Sequence, residues 1–240
     1  MTAYLNGQIA EIPFIPRSFG FVETMLYKNG TVPLLEKFIG RMRQSLTEYG
    51  LRLPENDWAE IINKTAGNYG TAEVNIYCLA SAGGTDVLVT ADTVPDAPEI
   101  FKLNINNRFE TSHLHRHKPA SSPHHELAQL RAVKGGYNGS LMFTEDNRAL
   151  EASEGVLLFT KDGCVFTAPS GARLNCVMLQ ALAEQIKITE TDILLKEFPS
   201  YESCFLLHPV HGVKTVSVIS LFNFIPDTDK AGKLSGLLGY

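Results

Sequence analysis

The stretch from Asn106 to Pro123 carries no hydrophobic period of strand or helix type and is broken by Pro119 and Pro123. The residues on either side alternate between strand-like and helix-like runs. A polar, proline-bearing stretch between two such regions reads as a connector. The chain is therefore expected to fold as two units, residues 1–110 and 111–240.

In the first half, Phe19 to Leu26 is apolar, and Asn29-Gly30 separates it from Val32 to Leu34, which predicts a hairpin turn. Leu35, Phe38, Ile39, Met42 and Leu46 recur at helical steps, predicting a helix from Leu35 to Tyr49 that stops at Gly50. Trp58, Ile61 and Ile62 repeat the pattern over Glu55 to Ala66. Ala72 to Ala82 and Asp86 to Ala91 read as strands about Gly83-Gly84, and Ile100 to Ile105 as one more.

The second half opens with a helix from His124 to Gly135, with Leu127, Leu130 and Val133 as its expected core face. Strands follow at Leu141 to Thr144, Val156 to Thr160 and Cys164 to Thr167, the last two joined by a hairpin at Asp162-Gly163. Asn175 to Gln185 reads as a helix, and Ser203 to Leu207 and Val213 to Ser220 as strands around His211-Gly212. The tail from Asp227 to Tyr240 is polar and glycine-bearing, and no element is assigned to it. Strands mixed with helices in both halves predict a two-domain fold of mixed α+β or α/β class.

Several function classes find no support. The formal charge is -5, from 21 basic against 26 acidic residues, and gives no reason to expect nucleic-acid binding. No run approaches the roughly 20 apolar residues that span a bilayer, and Met1 to Phe14 lacks the features of a secretory signal. Cys78, Cys164, Cys176 and Cys204 form no CxxC pair and read as reduced, incidental thiols, so a cytoplasmic protein is expected. Walker, GxGxxG and GxSxG motifs are missing. His113-x-His115-x-His117 would set three imidazoles on one face if it were a strand, with His124 and His125 nearby. No carboxylate pattern accompanies it and HExxH is absent, so no metal site is expected.

The order of four segments goes further. Tyr4-Leu5-Asn6-Gly7 precedes Gly20-Phe21-Val22-Glu23-Thr24; Leu34 to Met42 contains Arg41; Lys118 stands just before the helix that opens the second half; and Glu151-Ala152-Ser153 precedes the strand Val156 to Phe159. In this order the chain resembles the fold-type IV pyridoxal-phosphate enzymes, the class IV aminotransferases that include branched-chain and D-amino-acid aminotransferases and aminodeoxychorismate lyase. The resemblance implies that Lys118 is the Schiff-base lysine, that Glu151 hydrogen-bonds the pyridine nitrogen and that Arg41 reaches the cofactor phosphate. It also matches the family's phosphate-cradling Gly-Ile-Thr-Arg to Arg173-Leu174-Asn175-Cys176, with cysteine in place of the arginine. The asparagine that follows Glu-x-Ser in the family is Val156 here.

The chemistry asks for the same residue types. An imine-forming lysine needs desolvation or nearby positive charge to lower its pKa, and His113, His115, Arg116 and His117 precede Lys118. A buried acid supports a protonated ring nitrogen, and Glu151 precedes an apolar strand. Arg41 offers a planar fork. Asn175 lies at the start of a predicted helix, where an anion is favoured, and Gly212 and Val213 could add backbone donors. Arg108, Arg116, Tyr27, Tyr77 and Arg173 are the candidate substrate contacts. The activity implied is transamination between a small amino acid and a 2-oxo acid. The alternatives are a lyase that releases pyruvate and 4-aminobenzoate from 4-amino-4-deoxychorismate, and a catalytically silent relative acting as a binding protein. A homodimer is implied as well.

Overall fold

The computed structural model describes residues 2–5, 8–11, 19–108 and 113–240, and divides the chain into two units. The first comprises residues 1–96 with 117–121, the second residues 97–116 with 122–240. The boundary expected at 110 thus falls elsewhere, because the strand before it belongs to the second sheet.

The first unit contains β1 (Thr2–Leu5), β2 (Gln8–Glu11), β3 (Gly20–Lys28), α1 (Leu35–Glu48), α2 (Trp58–Ala66), β4 (Thr71–Ser81) and β5 (Gly84–Asp92). Its strands pair antiparallel in the order β2-β1-β5-β4-β3. The turn predicted at Asn29-Gly30 is present, with both residues at positive φ and Lys28 and Thr31 exchanging backbone hydrogen bonds. It returns no second strand: Leu34 takes a left-handed conformation and α1 begins at the next residue. The apolar stripe of α1 packs on β3 and α2 packs on β5. Phe38, Ile39, Met42 and Leu46 are buried, as are Trp58, Ile61 and Ile62. Asp57 caps α2 by accepting from the Glu60 amide at 2.9 Å.

The second unit contains β6 (Ile100–Arg108), α3 (Pro123–Lys134), β7 (Gly139–Phe143), β8 (Ala149–Ala152), β9 (Val156–Lys161), β10 (Cys164–Thr167), α4 (Val177–Ala183), β11 (Ile188–Glu190), β12 (Ser203–His208), β13 (Gly212–Ile219), β14 (Phe222–Asn223) and α5 (Thr228–Leu237). The sheet runs β11-β10-β9-β12-β13-β6-β7-β8, with β14 on β13. β6 lies parallel to both β13 and β7, which ties it to this unit. Phe101, Leu103, Leu141, Leu157, Phe159, Phe198, Leu206 and Val216 fill the core.

Two expectations are corrected here. Helix α3 does not bury Leu127, Leu130 and Val133, which are 43%, 52% and 56% exposed. It packs through the small residues Ala128 and Ala132 instead, and Ala128 meets Met142 and Leu150. The tail, for which the sequence suggested no element, forms α5, capped by Asp227 accepting from the Lys230 amide and packed on β13. No described helix is long and apolar enough to cross a membrane.

Candidate functional site

In the first unit, polar groups gather on β3 and on the segment 117–121, which pairs along it. Val22 N–H donates to the Lys118 carbonyl and Ala120 N–H to the Gly20 carbonyl, each at 2.9 Å. Lys118, expected within the second domain just before its opening helix, instead belongs to the first unit, while α3 does start after it. Its side chain is half-buried, and Nζ donates to Thr24 Oγ1 at 2.5 Å. Thr24 Oγ1 passes its own hydrogen to Asn75 Oδ1 at 2.7 Å, and Asn75 Nδ2 donates to Glu73 Oε1 at 3.0 Å. The lysine Nζ is thus the head of a chain of donors running across β3 and β4.

The neighbouring His117 turns toward α1. Its ring is 5% exposed, lies 5.5 Å from the Phe21 ring and 5.4 Å from the Tyr49 ring, and bonds Ser45 Oγ through Nδ1 at 2.9 Å. Nε2 comes within 3.4 Å of Glu48 Oε1 without hydrogen-bond geometry. The histidines at 113 and 115 lie on a 3-10 turn, His113–Arg116, rather than on a strand, and their side chains fall outside the described residues. Among the described residues no cluster suits a metal ion.

Arg41 sits on the buried stripe of α1, three positions after Phe38 and four before Ser45. Its Nε donates to Glu23 Oε1 at 2.8 Å and its Nη2 to Glu23 Oε2 at 2.5 Å. The two side chains are 8% and 2% exposed. The fork expected to face phosphate is therefore held by Glu23 through two of its three nitrogens. Lys118 and Arg41 are brought to successive residues of β3, Thr24 and Glu23, neither of which was singled out as a partner from sequence. An acid inside an otherwise apolar strand was the signal for Glu23.

In the second unit Glu151 is 3% exposed, on β8. Its Oε1 lies 3.2 Å from His125 Nε2, and its Oε2 accepts the Leu174 amide at 3.1 Å. The remaining phosphate candidates are engaged within the protein. Asn175 precedes the cap of α4, which is Cys176, so it is not itself the N-cap. Its amide donates to the Arg116 carbonyl at 3.3 Å and its Oδ1 accepts from Gln180. The Val213 amide donates to Ser235 Oγ at 2.8 Å, and a Cβ at Gly212, where φ is +72°, would stand 2.9 Å from the same oxygen. Two amides not anticipated from sequence, those of Val210 and His211, converge on His208 Nδ1 at 3.2 and 3.3 Å. With Nδ1 accepting, the His208 proton rests on Nε2, 3.5 Å from Glu154 Oε2. Burial, and then the electrostatic influence of the neighbouring His208 and Lys214, lowers the pKa of His211 to about 4.

The candidate substrate contacts separate. Tyr27 is buried and its hydroxyl donates to Asn63 Oδ1 at 3.1 Å. Tyr77 packs with Val22, Leu79 and Leu88, and burial, reinforced by the Glu73 charge, pushes its hydroxyl up to about 12. Arg173 is 2% exposed and braces its own loop, donating to the Ala168 and Leu174 carbonyls and to Glu190 Oε1. All three side chains are buried in the structure. Arg116 is exposed at the end of the 3-10 turn. The side chain of Arg108 lies outside the described residues.

A family model described as amino-transferase class IV matches residues 20–219. No curated protein sequence matches the chain. Among solved structures, a hypothetical aminotransferase from Mycobacterium tuberculosis in an alpha-ketoglutarate and PMP bound form is 16% identical, with a TM-score of 0.84 and coverage of 100% of this chain and 98% of that one. The 4-amino-4-deoxychorismate lyase of Pseudomonas aeruginosa is 17% identical, with a TM-score of 0.82 and coverage of 98% and 97%. The branched-chain aminotransferase of Thermoproteus uzoniensis with norvaline is 17% identical, with a TM-score of 0.81 and coverage of 100% and 95%. At these identities the structures establish a shared fold, while the family model spans most of the sequence. On that ground the chain belongs to the class IV aminotransferases, the fold-type IV family of pyridoxal-phosphate enzymes.

Proposed function

We propose that the protein binds pyridoxal 5′-phosphate and transaminates a small amino acid against a 2-oxo acid. The observation that carries this reading is the treatment of the two groups picked out by motif order. The amine of Lys118 is half-buried and the carboxylate of Glu151 is buried, and each is held by named polar partners. An amine and a buried acid fit a pyridoxal ring. Of the phosphate candidates, Arg41 has its guanidinium plane fixed by Glu23, which accepts from Nε and Nη2.

Pyridoxal 5′-phosphate, when bound, supplies an aldehyde and a ring that accepts electrons. Lys118 would bond to it covalently and, once displaced by substrate, move the substrate α proton at Nζ. Thr24 Oγ1, by accepting from Nζ, gives that amine a resting direction. Glu151 would accept the ring N–H and keep the ring protonated. Arg41 would supply the positive charge that meets the phosphate, with Glu23 fixing the plane of the guanidinium. The homodimer implied by the family resemblance forms part of the proposal and is measured by light scattering.

Addition of pyridoxal 5′-phosphate should give a visible absorption band that survives dialysis in the wild type and in Lys134→Ala but not in Lys118→Ala. Absence of the band from all three proteins would end the reading and favour a silent relative. Amino acids of either hand, added one at a time, should then discharge the band. Pyruvate released from aminodeoxychorismate without an oxo-acid acceptor would assign the lyase reaction instead.

A further inference from the structure

Glu151 ends a chain of three side chains. Ser122 Oγ lies 2.7 Å from His125 Nδ1, and His125 Nε2 lies 3.2 Å from Glu151 Oε1. The first link follows from how α3 begins. Ser122 is its N-cap and Pro123, with no N–H, opens the helix. The Ser122 hydroxyl caps no helix amide and turns to the imidazole three residues on, while the Ser122 amide donates to Glu126 Oε1 at 3.2 Å. A hydroxyl can donate to Nδ1 or accept from it, so the chain closes with the imidazole neutral or charged. Because the carboxylate can only accept, Nε2 is the nitrogen that carries a hydrogen toward it, and the Ser122 hydroxyl donates to Nδ1 when the imidazole is neutral.

A carboxylate has two oxygens and about four acceptor sites. His125 occupies one on Oε1, and the Leu174 amide one on Oε2 at 3.1 Å. Two donors arriving on different oxygens fix the plane of the group and leave acceptor capacity in that plane. We propose that His125, oriented by Ser122, is a positioning residue that holds Glu151 in the plane from which it accepts the ring N–H of the cofactor. This rests on the pyridoxal-phosphate reading above. His125 acts only through Glu151 and does not itself touch the cofactor. The competing possibility, a brace between α3 and β8 with no bearing on the ring, makes a different prediction.

The test compares dissociation constants, by calorimetry, for pyridoxal 5′-phosphate and for its 1-deaza analogue, which keeps the aldehyde and phosphate but has C–H in place of the ring nitrogen. His125→Ala should weaken pyridoxal 5′-phosphate about tenfold, the loss expected when a hydrogen bond to a charged group is removed. The deaza analogue should bind the variant and the wild type alike. His125→Gln places an amide nitrogen where Nε2 stood and should restore most of the affinity. His125→Asn reaches only the Nδ1 position and should not. Equal weakening of both ligands in His125→Ala, no weakening of either, or rescue by asparagine as complete as by glutamine would overturn the proposal while leaving the cofactor assignment intact. A wild-type protein that binds the two ligands equally would instead remove the ring contact, and with it the reading on which the proposal depends.

Discussion

The buried pair of Arg41 and Glu23 allows a stability prediction whose size comes from the structure. Its fork is bidentate, at 2.8 and 2.5 Å, and the side chains are 8% and 2% exposed. Replacing Arg41 by methionine preserves most of the stem that packs beside Phe38 but strands a carboxylate out of water. Removing one partner of such a pair costs about 3–5 kcal/mol, most of it the uncompensated burial of the other charge. With a urea dependence of roughly 1–3 kcal/mol per molar, the midpoint should fall by at least ~1 M. The assay can be confined to the right unit, since Trp58 is the single tryptophan of the chain and is buried in α2 of the first unit. Adding Glu23→Leu to Arg41→Met should return most of the loss, because two apolar side chains leave no charge to compensate. The exposed Glu60–Lys64 pair, at 2.6 Å, is a control: water screens it, and Lys64→Ala should leave the transition where it was. A shift below ~1 kcal/mol for Arg41→Met, or a double variant no better than the single one, would refute the reasoning.

Two further outcomes follow from close contacts and from charge. A Cβ at Gly20 would lie 2.1 Å from the Cys78 carbonyl oxygen and 2.8 Å from Leu79 Cα, both backbone, so Gly20→Ala should destabilise the first unit by roughly 1–3 kcal/mol in the Trp58 transition. Gly40→Ala, on α1 with nothing within 4 Å, should not destabilise it. For His211, the folded value of about 4 lies below the ordinary 6.5, so between those values the unfolded chain binds a proton that the folded chain does not. Stability should therefore decline as pH falls from about 6.5 toward 4. His211→Gln should flatten that decline in urea midpoints followed by circular dichroism; an unchanged slope would show that other groups govern it.

Much of the fold could be read from periodicity because the period itself is what packs. The stripe of α1 and the strands β3, β4 and β5 lie within a few residues of their expected bounds. The misreadings share a cause. On α3 the eye goes to Leu127, Leu130 and Val133, yet the helix approaches β6 and β7 through the methyl groups of Ala128 and Ala132, whose small size permits close contact but adds little to a hydrophobic pattern. On α5 the glycines at 232 and 236 dilute the pattern, and Asp227 at the cap was the usable signal.

The residues of the candidate site could be chosen from the sequence, but not the partners the structure gives them, and the difference is one of sequence distance. Lys118 and Glu151 were chosen by motif order. Thr24 lies 94 positions from the lysine it binds, and Glu151 lies 26 from His125. No periodicity encodes such pairs; they arise only when strands take their register. What the sequence does supply is the demand for a partner. Arg41 falls on a stripe whose neighbours, Phe38 and Met42, are core residues, and Glu23 falls inside an apolar strand, so neither can keep its charge unpaired. Two isolated charges of opposite sign, one on a helix and one on the strand it covers, satisfy each other at less cost than either could elsewhere. A search for charged residues at positions where the pattern requires apolar ones would have found this pair. The same search returns Arg173, whose partners are Glu190 and two backbone carbonyls. A charge in a core position therefore predicts a partner, and only the partner's identity separates structural from catalytic use.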